Sequence, residues 1–138
     1  MFVDASALVA IIARETGWEQ IAERMASHTG VLHVSPLVRF EATLAVARVL
    51  RADASPMSKH IAASQSLVDA LIADIGAHDV TISDEVGRLA LDAAGLYGKA
   101  VGHAAQLNFG DCFAYACAKT LDTGLIYKGD DFSLTDLA

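Results

Sequence analysis

The stretch from Asn108 to Lys119, NFGDCFAYACAK, constrains this chain more than any other. One carboxylate, Asp111, stands ahead of a run that is otherwise apolar or small, from Cys112 to Ala118. Gly110 is expected to supply a turn, and Asp111 to serve as a helix cap or first-turn residue whose carboxylate accepts free backbone N–H groups. A helix that is apolar all round beyond its first turn is a buried helix. Asp111 therefore stands at the mouth of a buried element, where a charge needs either a capping role or a partner. Which of the two applies depends on where the other carboxylates lie.

Short apolar segments alternate with helical patterns along the rest of the chain. Residues 1–4, MFVD, read as a short buried strand ending at Asp4, and Ala7 to Ala13 as the start of a helix. A second helix shows Trp18, Ile21, Ala22 and Met25 on one face. Val31 to Val34 is the second strand. Ser35-Pro36 opens a helix, with Ser as cap and Pro at the first position; it carries Leu37, Val38, Phe40, Leu44 and Ala47 toward the core and runs to about Arg51. After a break at Ala52 to Ser55, Ser55-Pro56 repeats the signal for a helix to about Ile75, with Ile61, Leu67, Leu71 and Ile75 near helical spacing. Val80 to Ile82 is expected as the third strand, Ser83-Asp84-Glu85 as the cap of a helix ending at Gly95 to Gly98, and Gly124 to Tyr127 as the fourth strand. This alternation predicts an α/β fold, a small parallel sheet flanked by helices, in one domain spanning residues 1–138.

In such a sheet each crossover helix begins at the edge where the strands end, and ligands bind at that edge. Asp4 ends the first strand, Asp111 opens a helix, and Asp130 and Asp131 follow the last strand, so all fall on one edge. Glu41 joins them from inside the helix opened at Pro36. Its neighbours at helical spacing are Leu37, Val38, Leu44 and Ala45, so it lies on the apolar face. A carboxylate there must be protonated, bound to metal, or paired with a base such as Arg39, Arg48 or Lys128. Inward carboxylates without matching His or Cys suit Mg²⁺ or Mn²⁺ rather than zinc. That chemistry fits metal-assisted phosphodiester hydrolysis, in which the cation activates water and neutralises charge on the phosphate. Ser6 is placed either to orient a carboxylate or substrate or to cap the helix.

A net charge of −7 argues against holding nucleic acid by bulk electrostatics. It does not exclude a nuclease, because bound cations neutralise such an acidic cluster. No apolar run reaches the roughly 18 residues that span a bilayer, and the N-terminus lacks a basic leader. Cys112 and Cys117 match no metal motif and read as reduced core thiols, which places the chain in the cytoplasm.

FVDASALVAI, Glu41 in a helix after a Ser-Pro turn, LNFGDCFAYACAK and LIYKGDDFSLTDL together resemble a PIN-domain ribonuclease of the VapC toxin type, over nearly the whole chain. The resemblance implies a three-layer α/β/α domain that gathers acidic residues around Mg²⁺ or Mn²⁺, cleaves RNA, and is silenced by a VapB-type antitoxin. The family's acidic positions fall on Asp4, Glu41 and Asp111, and the fourth on Asp130 or Asp131, the latter fitting better beside Phe132. Asp4 and Asp111 are the implied direct metal ligands, with Glu41 and the last Asp completing the site. A homodimer or a dimer of heterodimers is implied, with an Arg of the antitoxin reaching the carboxylates. His103, Trp18, Met25 and Asp136 read as structural or surface residues. Two other readings compete: a PIN-like module that holds RNA or a partner without cutting, and a phosphoryl-transfer enzyme of the haloacid dehalogenase kind. The second needs an Asp where Ser6 stands.

Overall fold

The computed structural model describes residues 1–51 and 56–138. The expected break at Ala52 to Ser55, with Ser55 as a cap, lies outside the described residues. Four two-residue strands, β1 (Phe2–Val3), β2 (His33–Val34), β3 (His78–Asp79) and β4 (Leu125–Ile126), form one all-parallel sheet in the order β3-β2-β1-β4. Phe2 registers with both His33 and Leu125, so β1 and β4 are the neighbours that bring the two ends of the sequence together. Phe2, Val3, Val34, Leu125 and Ile126 are fully buried or nearly so, as strands covered on both faces must be.

The helices are α1 (Ala5–Ala13), α2 (Trp18–Ser27), α3 (Pro36–Leu50), α4 (Ser58–Asp74), α5 (Asp84–Tyr97) and α6 (Phe109–Thr120). Helices α1 and α3 pack on each other and on α4, while α5 packs along α6; with the sheet they make a three-layer α/β/α fold. Helix α6 is buried from Gly110 to Ala118 except at the half-buried Phe113, as its composition requires. Its run of Ala and Cys lets it lie close to β1 and β4. Ser35 and Ser83 cap α3 and α5, each accepting a hydrogen bond from the backbone N–H three residues on (3.3 Å).

Several expectations need correction. The third strand is His78–Asp79, not Val80 to Ile82. It is an edge strand whose two side chains are exposed, so apolar composition does not mark it. Val80 only donates its N–H to Val34 (2.8 Å) as the ladder ends. Helix α1 begins at Ala5, directly after Asp4, and α4 begins at Ser58 rather than at Pro56. Phe40 is 60% exposed, not a core residue; on α4, where Leu67 is 43% exposed, the buried positions are Ser64, Val68 and Ile72. Gly110 lies inside α6 rather than in a turn, and the cap is Asn108, with Asp111 in the first turn.

Candidate active site

Asp4 follows β1 and caps α1, and it is only 4% exposed. Its Oδ2 accepts both the backbone N–H (2.9 Å) and the hydroxyl (2.5 Å) of Ser6. The same hydroxyl accepts the N–H of Lys128 (3.0 Å), so Ser6 ties the carboxylate to the chain leaving β4. Asp111 is fixed by a capping box at the start of α6. The Asn108 side chain accepts the N–H groups of Gly110 (2.8 Å) and Asp111 (3.2 Å), and Asp111 Oδ2 accepts the N–H of Asn108 (2.8 Å).

Glu41 reaches the same place from α3. A Cβ built on Gly110 would collide with the Glu41 carboxylate, so the absence of a side chain at that position makes room for Glu41 against the first turn of α6. Two of the three bases proposed to neutralise Glu41 are engaged elsewhere. Arg39 forks onto Asp79 (2.9 and 3.0 Å) and Asp69 (2.8 Å), and Lys128 pairs with Glu15 (2.8 Å). Arg48 lines the cleft, but among the described residues it pairs with no carboxylate.

Asp4, Ser6, Glu41, Asp111 and Asp131 all line one cleft of about 640 Å³. Asp130 does not line it: its carbonyl accepts the N–H (3.0 Å) and hydroxyl (2.6 Å) of Ser133 and so shapes the closing turn. Like charges in a poorly hydrated cleft disfavour ionisation. Burial pushes the Asp4 carboxyl above the ordinary range despite the hydrogen bonds from Ser6, and Asp131 adds to the shift. Burial, then the charges of Asp4 and Asp111, lift Glu41 to about 7. Asp111 rises to about 6, chiefly through burial, with the Asn108 N–H opposing and Asp4 and Asp131 adding.

The donor set is all oxygen, and among the described residues none of these carboxylates is ion-paired, although Arg48 and Lys128 also line the cleft; this fits a hard divalent ion. Among the described residues no three His, Cys, Asp or Glu side chains form a ready-made cage. An ion that keeps several of its waters and takes only one or two carboxylates needs none.

The remaining candidates have structural roles. His103 accepts the N–H of Ala105 (3.1 Å) and sets its ring edge-on to Tyr97. Arg14 lies over Trp18, 5.6 Å from the ring centre, and Met25 is buried. Asp136 clamps the C-terminal segment onto α6 by accepting from Tyr115 (2.7 Å) and Lys119 (3.0 Å). Cys112 and Cys117 are free and buried, and burial raises the Cys117 thiol to about 11. Sequence reasoning missed Asn108 as the cap, although an Asn three residues before an Asp is the signature of that box. It also missed Glu15, whose pairing with Lys128 spans 113 residues and leaves no local signal.

The model of the PIN domain matches residues 1–137. This chain belongs to the PIN-domain family. It is 49% identical over 142 aligned residues to a VapC ribonuclease of Rhizobium meliloti, covering 99% of this chain and 98% of that protein. Ribonuclease VapC42 of Mycobacterium tuberculosis is 35% identical over 140 residues, with 99% and 96% covered. Ribonuclease VapC28 of the same organism is 33% identical over 135 residues, with 98% and 93% covered. This PIN domain therefore falls among the VapC ribonucleases along its whole length, which sets aside the haloacid dehalogenase reading.

Proposed function

We propose that the chain is a divalent-metal-dependent endoribonuclease, the toxin of a VapBC-type pair, and that Asp4, Glu41, Asp111 and Asp131 form its active site. The observation that carries this reading is the meeting of four carboxylates from four separate chain segments in one cleft, none of them ion-paired among the described residues. Asp4 and Asp111 are the direct ligands for Mg²⁺ or Mn²⁺. A cation held there would supply activation of water and neutralisation of the charge that builds on a phosphate. The protein's own part is positioning. Ser6 holds Asp4 by two donors, the capping box holds Asp111, and Gly110 leaves the space into which Glu41 fits. Asp131 closes the wall on the β4 side, and Asp130 serves the turn instead.

The partners belong to the same reading: an RNA substrate, and a VapB-type antitoxin that covers the acidic edge with a basic segment, an Arg being suited to a bidentate contact with carboxylates. The assembly is a homodimer, or a dimer of heterodimers with the antitoxin. The setting is the cytoplasm, where the two thiols stay reduced; no helix among the described residues is long and apolar enough to cross a membrane.

The test is cleavage of structured and single-stranded RNAs by the purified chain with Mg²⁺, Mn²⁺ or EDTA, beside Asp4→Asn and Asp111→Asn. Metal-dependent cutting abolished in both folded variants is expected. Cutting that survives EDTA, or both substitutions, overturns the site. Metal binding without cutting of any RNA favours a module that binds but does not cleave.

A further inference from the structure

The wall that α3 gives to the acidic cleft holds two groups that the hydrolysis does not use. Phe40 directly precedes Glu41 and is 60% exposed. Among the described residues it is the one aromatic side chain lining the cleft. Leu44 and Arg48 follow it at intervals of four and line the cleft as well, so the three form one stripe along the helix. Arg48 is exposed, and among the described residues it pairs with no carboxylate. The second cation of the cleft, Lys128, is held by Glu15 at 2.8 Å. A phenyl ring left mostly in water contributes little to the fold, and so does an exposed arginine.

Charge narrows what this stripe can hold. The chain carries −7, and the ring stands beside the cleft of Asp4, Glu41, Asp111 and Asp131, so a polyanion gains little here from long-range attraction. Its affinity has to come from short-range contacts. Stacking of a base on an aromatic face is one, since it needs no charge and every base has a face to offer. A guanidinium that grips a phosphate through two parallel N–H groups is another. The stripe supplies one of each.

Spacing along the helix sets the footprint. Glu41 and Arg48 lie seven residues apart, about 10 Å along the axis. That is about three steps of a stacked single strand at roughly 3.4 Å each. A nucleotide at the carboxylates can therefore lay its base on Phe40 while the backbone runs on to Arg48. A base paired and stacked in a duplex has no free face, so the arrangement selects unpaired RNA.

We propose that the Phe40–Arg48 stripe is the substrate path of the cleft: Phe40 stacks on a base of single-stranded RNA beside the phosphate to be cut, and Arg48 binds a phosphate about three nucleotides away. The proposal deepens the nuclease reading above and rests on it.

Binding tests it, measured by fluorescence anisotropy with Mg²⁺ on the Asp4→Asn chain so that no cutting intervenes, with circular dichroism to confirm folding. The probes are a labelled single-stranded RNA and a ribose-phosphate oligomer of the same length without bases. Phe40→Ala is expected to weaken binding of the RNA by about tenfold or more and to leave the baseless oligomer unaffected. Phe40→Trp should bind the RNA at least as tightly as before. Arg48→Gln is expected to weaken both probes equally and to lower the slope of log K against log salt by about 0.7. RNA binding indifferent to Phe40→Ala, or an equal loss on both probes, overturns the stacking; an unchanged salt slope in Arg48→Gln overturns the phosphate contact. A wild type that cuts RNA while Phe40→Ala binds it as before sinks this proposal alone. A wild type that neither binds nor cuts any RNA sinks the nuclease reading with it.

Discussion

The carboxylates of the cleft and the Phe40–Arg48 stripe beside them face the same space, yet they are built on opposite physical terms. The carboxylates are gathered partly out of solvent without an ion-pair partner among the described residues, so the fold is held against their repulsion and is eased by whatever neutralises them. Along the stripe an aromatic ring and a guanidinium are left in water, and the fold is indifferent until something covers them. Folding alone would favour neither arrangement. Groups that a chain leaves electrostatically or hydrophobically unsatisfied mark where it meets other molecules.

The largest expected contrast is between Asp4→Asn and Phe40→Ala. The first should lower metal-dependent cleavage by at least about a hundredfold while leaving the Phe40-dependent part of RNA binding intact. The second should weaken binding of single-stranded RNA, raising KM more than it lowers kcat, without unfolding the chain. If both variants lose both properties together, the two regions are not separable.

Gly110→Ala sharpens the role of Glu41. The new methyl takes the space of the Glu41 carboxylate, which can swing away. Cleavage should therefore fall by about tenfold or more, while the melting temperature holds or rises, because Ala favours a helix interior over Gly by up to about 1 kcal/mol. Unchanged cleavage would remove Glu41 from the site.

The third prediction is thermodynamic. The folded-state values of Asp111 and Glu41, about 6 and about 7, lie above their ordinary values of 3.8 and 4.5. Protonation therefore favours the fold: the stability these groups lend is complete below the ordinary values and is lost as pH rises through the folded ones. The metal-free protein should melt at a higher temperature near about pH 5 than near about pH 8. Glu41→Gln should flatten that slope, and added Mg²⁺ should raise the high-pH melting point most. A slope of the opposite sign in scanning calorimetry would mean that the carboxylates are neutralised by the protein itself.

The smallest expected effect comes from the turn ahead of α6. Asn108→Ala removes the cap of α6 and should cost about 1 kcal/mol, a few degrees in melting temperature. It should weaken cleavage modestly, since Asp111 hangs from that turn, and leave the Phe40-dependent binding of RNA as it was. A loss of that binding would show that the turn joins the two regions.

Much of this was legible in the sequence. Strand ends and helix starts fall at one edge of any parallel α/β sheet, so Asp4, Asp111 and the Asp130–Asp131 pair could be assigned to that edge without coordinates. The wholly apolar run after Asp111 required a buried helix, and Ser35-Pro36 and Ser83 announced their helices, because caps and periodicity are local properties. What the tertiary structure alone decided depends on which elements cover one another. Phe40 has the spacing of a core residue but is largely exposed, on the wall of the acidic cleft. The exposed edge strand at His78–Asp79 carries no apolar signature. Whether Glu41 was neutralised depended on Arg39 and Lys128 being held by Asp69, Asp79 and Glu15, pairings made across the fold between residues far apart in the chain. The same holds for Asp131 rather than Asp130 lining the cleft. Sequence periodicity fixes which side chains share a face, but only the packing of elements distant in the chain determines whether that face is buried, paired or open.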